Sequence, residues 1–296
     1  MVAITENFEP GKVIVAGLSD FDIAQIFDCG QCFRFDPDPA GGISGVAFGR
    51  WVRLEQPRPD TLIIYGAGRE EYERVWKRYL SLDEDYGAIK ADIAERFAPF
   101  DKAGIINAAM ERGGGIRILR QDPWETLCSF IVSQNNNIPR IKKIIAALSE
   151  EYGEKFEYKS GDGESKTFYS FPTAEALASA GEEALYALRT GFRAKYIYDA
   201  ARKVAEGELD LGSIAKLPTS EAAAELMKIK GVGLKVASCV LLFGFGRTEA
   251  FPVDVWVRRV LDKYYPDGLD TTALGRYAGI AQQYLFYYER YINGNR

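Results

Sequence analysis

A lysine and an aspartate nineteen residues apart are the residues of this sequence best suited to covalent chemistry. Lys235 follows the glycine hairpin Lys230-Gly231-Val232-Gly233, and Asp254 follows a proline-containing turn. A lysine amine that has lost its proton is a nucleophile that forms Schiff bases. A fixed carboxylate stabilises positive charge that develops during such a reaction. The pair therefore predicts covalent chemistry on a nucleic-acid sugar, provided that the hairpin holds a phosphate.

The elements around Lys235 support that expectation. The hairpin lies between two apolar runs, residues 222–227 and 236–243, which predict a helix-hairpin-helix over about residues 221–244. We expect Gly231 and Gly233 to adopt positive φ in a tight turn whose exposed N–H groups can hold a phosphate oxygen. Lys235 falls in the first turn of the second helix, where the helix dipole disfavours the ammonium form.

The surroundings of Asp254 predict a helix N-cap. It follows Pro252 and precedes the amphipathic run from Val255 to Lys263. Capping by itself would explain Asp254, and a surface contact to phosphate would explain Lys235. Each residue alone therefore leaves a structural alternative open, and the prediction of catalysis depends on the two residues together.

Three further segments make the combination specific. They are Cys29-Gly30-Gln31-Cys32-Phe33-Arg34, Arg120-Gln121-Asp122-Pro123 and Ser133-Gln134-Asn135-Asn136-Asn137-Ile138-Pro139-Arg140. Together with the hairpin, the lysine and the aspartate, they resemble the 8-oxoguanine DNA glycosylase/AP lyase family of the helix-hairpin-helix GPD superfamily. The resemblance runs from about residue 12 to about residue 290. A hairpin alone would be less specific, since many non-catalytic DNA-binding proteins carry one.

The resemblance implies an enzyme of base-excision repair. It would be a bifunctional glycosylase and AP lyase that extrudes 8-oxoguanine, preferably opposite cytosine, from damaged double-stranded DNA. Lys235 would attack the sugar C1′, displace the base and leave a Schiff base, after which β-elimination could cut the strand on the 3′ side. Asp254 would stabilise the positive charge of the sugar in the transition state.

The same resemblance implies a pocket for the extruded base. Cys239 and Phe286 would sandwich the base, Gln282 would read its Watson–Crick edge, and the carbonyl of Gly30 would accept the N7–H that 8-oxoguanine has and guanine lacks. Helical spacing agrees, since Cys239 lies four residues after Lys235 and Phe286 lies four after Gln282. Without the resemblance, Phe286 would be assigned to the core and Gly30 to an ordinary turn.

Contacts to the remaining DNA are implied as well. Asn135, Arg140 and Arg193 match residues that contact the cytosine left behind, while a loop-capping role stays open for Asn135. Phe192 stands where eukaryotic members have a tyrosine wedge, and its ring is sufficient for stacking. Trp256 stands where eukaryotic members have a histidine.

Composition limits the other possibilities. The chain has 296 residues, of which 47% are hydrophobic and 27% charged, as in a soluble globular protein. The net charge of −5 argues against DNA binding, but residues 227–263 hold seven lysines and arginines against three acidic residues. The chain has no histidine, which excludes histidine bases, Ser-His-Asp triads and most catalytic zinc sites.

The cysteines favour neither a metal nor a redox site. The pair Cys29 and Cys32 has metal-ligand spacing, but no second pair is present to complete a tetrahedral site. We favour two small residues packed at a close turn around Gly30, and the redox or zinc interpretation is the alternative. Some related glycosylases hold an iron–sulfur cluster with four cysteines near the C-terminus, which this chain lacks. We therefore expect no metal and no cofactor.

The hydrophobic patterning predicts an α+β fold. Residues 1–100 are expected to form an antiparallel sheet with helices, similar to the TATA-binding-protein-like domain of the family, and residues 101–296 an all-helical domain with the active site. Predicted strands are residues 12–16, 45–48, 51–54 and 61–65; predicted helices include residues 70–82, 139–152, 194–205, 220–227, 234–243, 255–264 and 277–291. Asp122, Pro123 and Glu125 predict a helix start with a capping box, and residues 159–166 a polar loop.

No apolar run approaches the ~20 residues of a membrane span, and the first residues lack a signal pattern. We expect a monomeric, cytoplasmic, nucleoid-associated enzyme of bacterial type. Three alternatives remain at this point. An alkylbase glycosylase would keep the aspartate and lack the lysine, a non-catalytic hairpin module would need no base pocket, and an aldolase that uses a lysine Schiff base would usually be a strand-rich barrel.

Overall fold

The computed structural model describes residues 4–159 and 165–292. Most of the predicted polar loop, residues 160–164, lies outside the described residues. No described helix combines the length and the apolar character that crossing a membrane requires.

The N-terminal part is built on a six-stranded antiparallel sheet with strand order β1-β2-β6-β5-β4-β3. The strands are β1 (Thr5–Glu9), β2 (Lys12–Ala16), β3 (Phe35–Pro37), β4 (Ile43–Ala47), β5 (Arg50–Arg58) and β6 (Thr61–Tyr65). β2 and β6 coincide with the predicted strands. β4 and β5 form the predicted hairpin, but its turn is Phe48-Gly49, one residue before the Gly49-Arg50 turn that the sequence predicts. The edge strands β1 and β3 carry no clear alternation and were not predicted.

Short helices cover this sheet. They are α1 (Ile23–Asp28), α2 (Arg69–Glu71), a π-helical stretch (Tyr72–Trp76) and α3 (Lys77–Tyr79). α4 (Tyr86–Phe97) follows, and its buried residues belong to the hydrophobic cluster of the helical part. The predicted helix over residues 70–82 is therefore confirmed in outline and irregular in detail. Tyr72 and Trp76 are fully buried and belong to the hydrophobic cluster beneath the sheet.

A second and larger hydrophobic cluster fills the helical part. Its helices are α5 (Ile105–Arg112), α6 (Pro123–Ser133), α7 (Ile138–Tyr152), α8 (Ala174–Leu185), α9 (Ala194–Ala205), α10 (Leu211–Ile214), α11 (Thr219–Leu226), α12 (Leu234–Phe243), α13 (Val255–Tyr264) and α14 (Ala278–Ile292). α9, α12 and α13 have the predicted bounds, and α7, α11 and α14 differ by one residue at their ends. Cys29 and Phe33 from the N-terminal part are buried in this same cluster. The segment between α1 and β3 therefore packs against the helical part. The predicted domain boundary near residue 100 stays a prediction.

One expectation for the C-terminal part is wrong, because it is not all helical. β7 (Lys155–Lys159) and β8 (Ser165–Tyr169) form an antiparallel hairpin between α7 and α8. Trp51 of β5 packs on this hairpin, with its ring centroid 4.1 Å from that of Tyr158. The hairpin is thus held by a contact to a strand about a hundred residues away, which no local pattern indicates.

The start of α6 corrects a second expectation. Asp122 caps the helix as predicted, since its carboxylate accepts a hydrogen bond from the amide of Glu125 at 2.9 Å. The reciprocal half of the capping box is missing, because the Glu125 carboxylate pairs with Arg34 at 3.3 Å. Arg34 also donates to the carbonyl of Tyr169 in β8. Glu125 therefore joins α6 to the N-terminal part instead of closing its own helix end.

Candidate active site

A cavity of about 430 Å³ opens between α6, α12, α13 and α14. Its walls include all six residues predicted for catalysis and base binding, which are Gly30, Lys235, Cys239, Asp254, Gln282 and Phe286. These residues come from four separate parts of the sequence, so the fold brings together what the sequence spreads over 257 positions. The cavity is therefore the candidate active site.

Lys235 enters the cavity from the first turn of α12. Gly233 is the N-cap of that helix, and the half-buried lysine follows two residues later. Its ammonium lies 5.3 Å from the centre of the Phe130 ring, a cation–π contact across the cavity. The Lys235 amine therefore lies at a helix N-terminus and against an aromatic wall of the cavity.

Asp254 enters from the start of α13, where it is the N-cap predicted from the sequence. One oxygen, Oδ1, accepts from the amides of Trp256 and Val257, at 3.0 and 2.9 Å. These two bonds fix the orientation of the carboxylate. Because both amides use Oδ1, Oδ2 takes no part in the cap. The same side chain can therefore cap the helix and present charge to a ligand.

The remaining walls suit a flat, polar-edged ring. Phe286 lies against Gly30, since a Cβ built on Gly30 would be 3.6 Å from the Phe286 ring. Gln282 gives the cavity a polar wall. Its side chain is buried, and its Oε1 has no hydrogen-bond partner among the described residues. A buried amide oxygen without a partner is costly unless a ligand supplies a donor. Burial raises the pKa of the Cys239 thiol, against the opposing effect of nearby Lys235, so the thiol stays a neutral contact surface.

The glycine hairpin before Lys235 is built largely as predicted. Gly231 has φ +76°, and a Cβ there would lie 2.5 Å from the ring of Tyr196. The expectation for Gly233 is wrong, since its φ is −99° and a Cβ would meet nothing within 4 Å. Gly233 instead has the extended backbone of an N-cap. A small residue there leaves the amides at the start of α12 open to solvent.

Helix α9 holds the hairpin from behind. The amide of Lys230 donates to the buried carboxylate of Asp199 at 2.9 Å, and Lys203 pairs with the same carboxylate at 3.2 Å. Burial alone would raise the pKa of Asp199, but these hydrogen bonds hold it below its usual value. The hairpin is thus fixed in place by α9, which the sequence did not indicate.

The three asparagines form a tight connection between α6 and α7. Asn136 donates to the carbonyl of Val132 in the last turn of α6. Asn137 is the N-cap of α7 and accepts from the amide of Arg140 in the first turn of that helix. Asn135 is exposed and left-handed, with φ +48°. Asn136 and Asn137 line the cavity, whereas Asn135 does not. The turn therefore places Asn135 outside the cavity mouth.

The other residues predicted to contact DNA differ in how accessible they are. Phe192 is 46% exposed, and Arg140 is exposed with one weak bond to the carbonyl of Arg189. Arg193 is only 2% exposed, and its guanidinium donates to the carbonyls of Gln134 and Asn135. In this structure Arg193 supports the asparagine turn, and its contact to an opposite cytosine stays a prediction.

Several cavity residues were not predicted from the sequence, namely Phe33, Phe130, Asn136, Asn137, Gln283 and Arg290. Gln283 and Arg290 share a face of α14 with Phe286, at helical spacings that could have identified them once Phe286 was chosen. The four cysteines are buried and free. Over residues 4–159 and 165–292, no group of three or more potential metal ligands is found.

Comparison with known proteins agrees with this architecture. A family model described as the HhH-GPD superfamily base excision DNA repair protein matches residues 128–273. The chain therefore belongs to this superfamily of DNA repair proteins. A second model, the N-terminal domain of 8-oxoguanine DNA glycosylase, matches residues 13–127. The chain is thus a member of the 8-oxoguanine DNA glycosylase family, as its motifs predict.

Individual relatives give the same assignment. The N-glycosylase/DNA lyase of Saccharomyces cerevisiae is 43% identical over 162 residues, which are 51% of this chain and 42% of the yeast protein. The N-glycosylase/DNA lyase OGG1 of Arabidopsis thaliana is 31% identical over 88% of this chain and 75% of its own length. A Clostridium acetobutylicum 8-oxoguanine glycosylase/lyase, solved with DNA containing cytosine opposite 8-oxoguanine, has a TM-score of 0.87 and 39% identity over 98% of both chains. The alignment thus spans less than half of the yeast relative.

Proposed function

We propose that this protein is a bifunctional DNA glycosylase and AP lyase that excises 8-oxoguanine, preferably opposite cytosine, through a lysine Schiff base. It acts on duplex DNA as a monomer and needs no metal or cofactor for the chemistry. The observation that carries the proposal is the pair of helix N-termini that bring Lys235 and Asp254 into one cavity lined for a planar base.

In the proposed reaction the Lys235 nitrogen forms a bond to the sugar C1′. The N-glycosidic bond breaks, and its electron pair leaves with the base, which is protonated on departure. Opening of the sugar ring then gives an imine between Nζ and C1′. Loss of a proton from C2′ expels the 3′-phosphate, which is the lyase step. The Asp254 carboxylate stabilises the positive sugar.

The geometry supports a base as the ligand of the cavity. A nucleotide extruded from the duplex would place its ring beside Phe286 and its polar edge toward the unpartnered Oε1 of Gln282. Exposed Phe192 would fill the gap left in the stack, because stacking needs only an aromatic ring. The hairpin amides at Gly231 and from Gly233 to Lys235 would hold a phosphate next to the reacting sugar, whereas the amide of Val232 already donates to the carbonyl of Ile229.

The main alternative is an alkylbase glycosylase with one function. The superfamily includes such enzymes, and a 3-methyladenine DNA glycosylase from Archaeoglobus fulgidus shares the fold at 22% identity. A monofunctional enzyme would have no use for an amine in the cavity, so Lys235 disfavours it. A non-catalytic hairpin module is disfavoured by the cavity itself, which a phosphate contact would not require.

Borohydride trapping tests the proposal. Borohydride reduces an imine to a stable amine, so a Schiff base between protein and DNA becomes a permanent adduct. We expect an adduct with a duplex that bears 8-oxoguanine opposite cytosine, and none with uracil or undamaged guanine in the same sequence. Equal trapping on all three duplexes would contradict the assigned lesion, and no trapping on any would contradict the lyase mechanism.

A further inference from the structure

The carbonyl of Gly30 differs from the neighbouring carbonyls in its hydrogen bonding. The carbonyls of Asp28, Cys29 and Gln31 each accept a hydrogen bond from a side chain, Arg290 at 2.7 Å, Gln283 at 2.6 Å and Gln121 at 2.7 Å. In the part of the chain that the structure describes, no donor reaches the Gly30 carbonyl. Within this run of four residues it is therefore the one acceptor left open beside the cavity.

One face of helix α14 contacts this run. Gln283, Phe286 and Arg290 are separated by three and four residues, so they form a single stripe along the helix. Gln283 bonds the carbonyl before Gly30, Phe286 packs on Gly30 itself, and Arg290 bonds the carbonyl of Asp28. Gln283 is 3% exposed, so its bond is protected from water.

The side chain of Gln31, the last residue of the run, is also fixed by hydrogen bonds. Its Nε2 donates to the carbonyls of Ile26 and Arg117, both at 2.9 Å, and its Oε1 accepts from the amide of Leu119 at 2.8 Å. Gly30 has φ +76°, a conformation that glycine adopts at little cost. Gln283 therefore holds the peptide plane before Gly30, and the bonds of the buried Gln31 side chain anchor the residue that follows Gly30.

We propose that Gln283 is a positioning residue that sets the discrimination between 8-oxoguanine and guanine by fixing the Gly30 carbonyl. The inference rests on the proposed function. 8-Oxoguanine would offer this oxygen an N7–H donor, whereas guanine would offer an N7 lone pair. A carbonyl that cannot turn away is repelled by the lone pair, whereas a carbonyl free to rotate relieves that repulsion. Fixing the carbonyl therefore acts mainly against guanine.

The test compares binding in a Lys235→Gln background, where no base is released. Dissociation constants are measured for duplexes with 8-oxoguanine or guanine opposite cytosine, with and without Gln283→Leu. We expect the ratio of the dissociation constant for guanine to that for 8-oxoguanine to fall by about tenfold in the double variant, because one buried hydrogen bond is lost. A residue with only a structural role would weaken binding to both duplexes alike and leave the ratio unchanged.

Gln25→Leu is the matched control. Gln25 also bonds backbone groups through its side chain, those of Arg112 and Gly115, but none in the run from Asp28 to Gln31. Its substitution should leave the ratio unchanged. Thermal unfolding checks that each variant is folded. If Gln283→Leu does not fold, Arg290→Gln, at a side chain that is 26% exposed, should lower the ratio in the same direction.

The outcomes separate this inference from the proposed function. If the Lys235→Gln protein binds both duplexes equally, the assigned lesion is wrong. Suppose instead that the Lys235→Gln protein discriminates and that adding Gln283→Leu leaves the ratio unchanged. Gln283 then does not position the carbonyl, and the same conclusion follows from Arg290→Gln where Gln283→Leu does not fold. A fall in the ratio with Gln283→Leu and an equal fall with Gln25→Leu would also contradict the inference, since the effect would then not be specific to this run.

Discussion

At the scale of single residues, Asp254 combines two roles that a substitution can separate. Asn caps helices about as well as Asp but carries no charge. We expect Asp254→Asn to fold with nearly unchanged stability and to slow single-turnover excision, because the positive sugar loses its partner. Asp254→Ala should be slow as well and should lose about 1 kcal/mol of stability with the cap.

The two measurements are single-turnover excision of 8-oxoguanine and chemical unfolding. Asn at wild-type rate would show that the carboxylate only caps α13. Equal stability of the Asn and Ala variants would show instead that the two amide bonds to Oδ1 contribute little to the helix.

At the scale of elements, the two hairpin glycines should differ. Gly231→Ala places a Cβ 2.5 Å from the Tyr196 ring and forces alanine to a φ of +76°. We expect a loss of about 1–3 kcal/mol in stability and a displaced hairpin with weaker DNA binding. Gly233→Ala meets nothing within 4 Å and should fold as well as wild type. Thermal unfolding of the two variants is the measurement, and equal losses would contradict this account of the hairpin.

The turn between α6 and α7 carries the proposed choice of opposite base. Arg140 is exposed, and its guanidinium can donate twice to O2 and N3 of cytosine, whereas adenine offers a mismatched edge. We expect faster single-turnover excision opposite cytosine than opposite adenine. Arg140→Ala should reduce this preference by about 1–3 kcal/mol. Lys143→Ala, on the same helix and also exposed, is the control and should leave it unchanged.

Equal wild-type rates on the two duplexes would contradict the cytosine preference. A preference that survives Arg140→Ala would leave the arginine as one more charge that faces the phosphates.

The elements that the sequence predicted well are those with local signals. The caps at Asp122 and Asp254 and the apolar periods of α9, α12 and α13 depend only on neighbours within a few residues. The hairpin β7–β8 was missed because its packing depends on Trp51, and the carbonyl run was missed because Gln283 lies 254 residues from Cys29. The cavity residues came from the family motifs, since the residue pattern alone left Phe286 and Gly30 with structural alternatives.

At the scale of the whole molecule, Glu125 connects the helical part to the N-terminal sheet through Arg34. Burial raises the pKa of Glu125 to about 7, although Arg34 works in the opposite direction. The unfolded chain has an ordinary carboxyl pKa near 4.5. Between these values the folded protein binds more protons than the unfolded chain, so stability falls as pH rises from about 4.5 to about 7.

We therefore expect Glu125→Gln to remove this component of the pH dependence. The difference in free energy of unfolding between the variant and wild type should change in favour of the variant as pH rises, by an amount of the order of 2 kcal/mol. Denaturant unfolding at about pH 4, 5, 6, 7 and 8, a series that spans both pKa values, is the measurement. A difference that is constant across the series would show that Glu125 is ionised in the folded protein throughout.

In the proposed reaction the Lys235 amine becomes covalently joined to the sugar. The most direct measurement is borohydride trapping on the 8-oxoguanine duplex, followed by identification of the modified peptide. Lys230→Gln, five residues earlier in the same hairpin, controls for loss of a nearby positive charge. We expect wild type and Lys230→Gln to give an adduct on Lys235, while Lys235→Gln binds the duplex but gives none. A trapped adduct with Lys235→Gln, or one mapped to another lysine in wild type, would show that Lys235 is not the nucleophile.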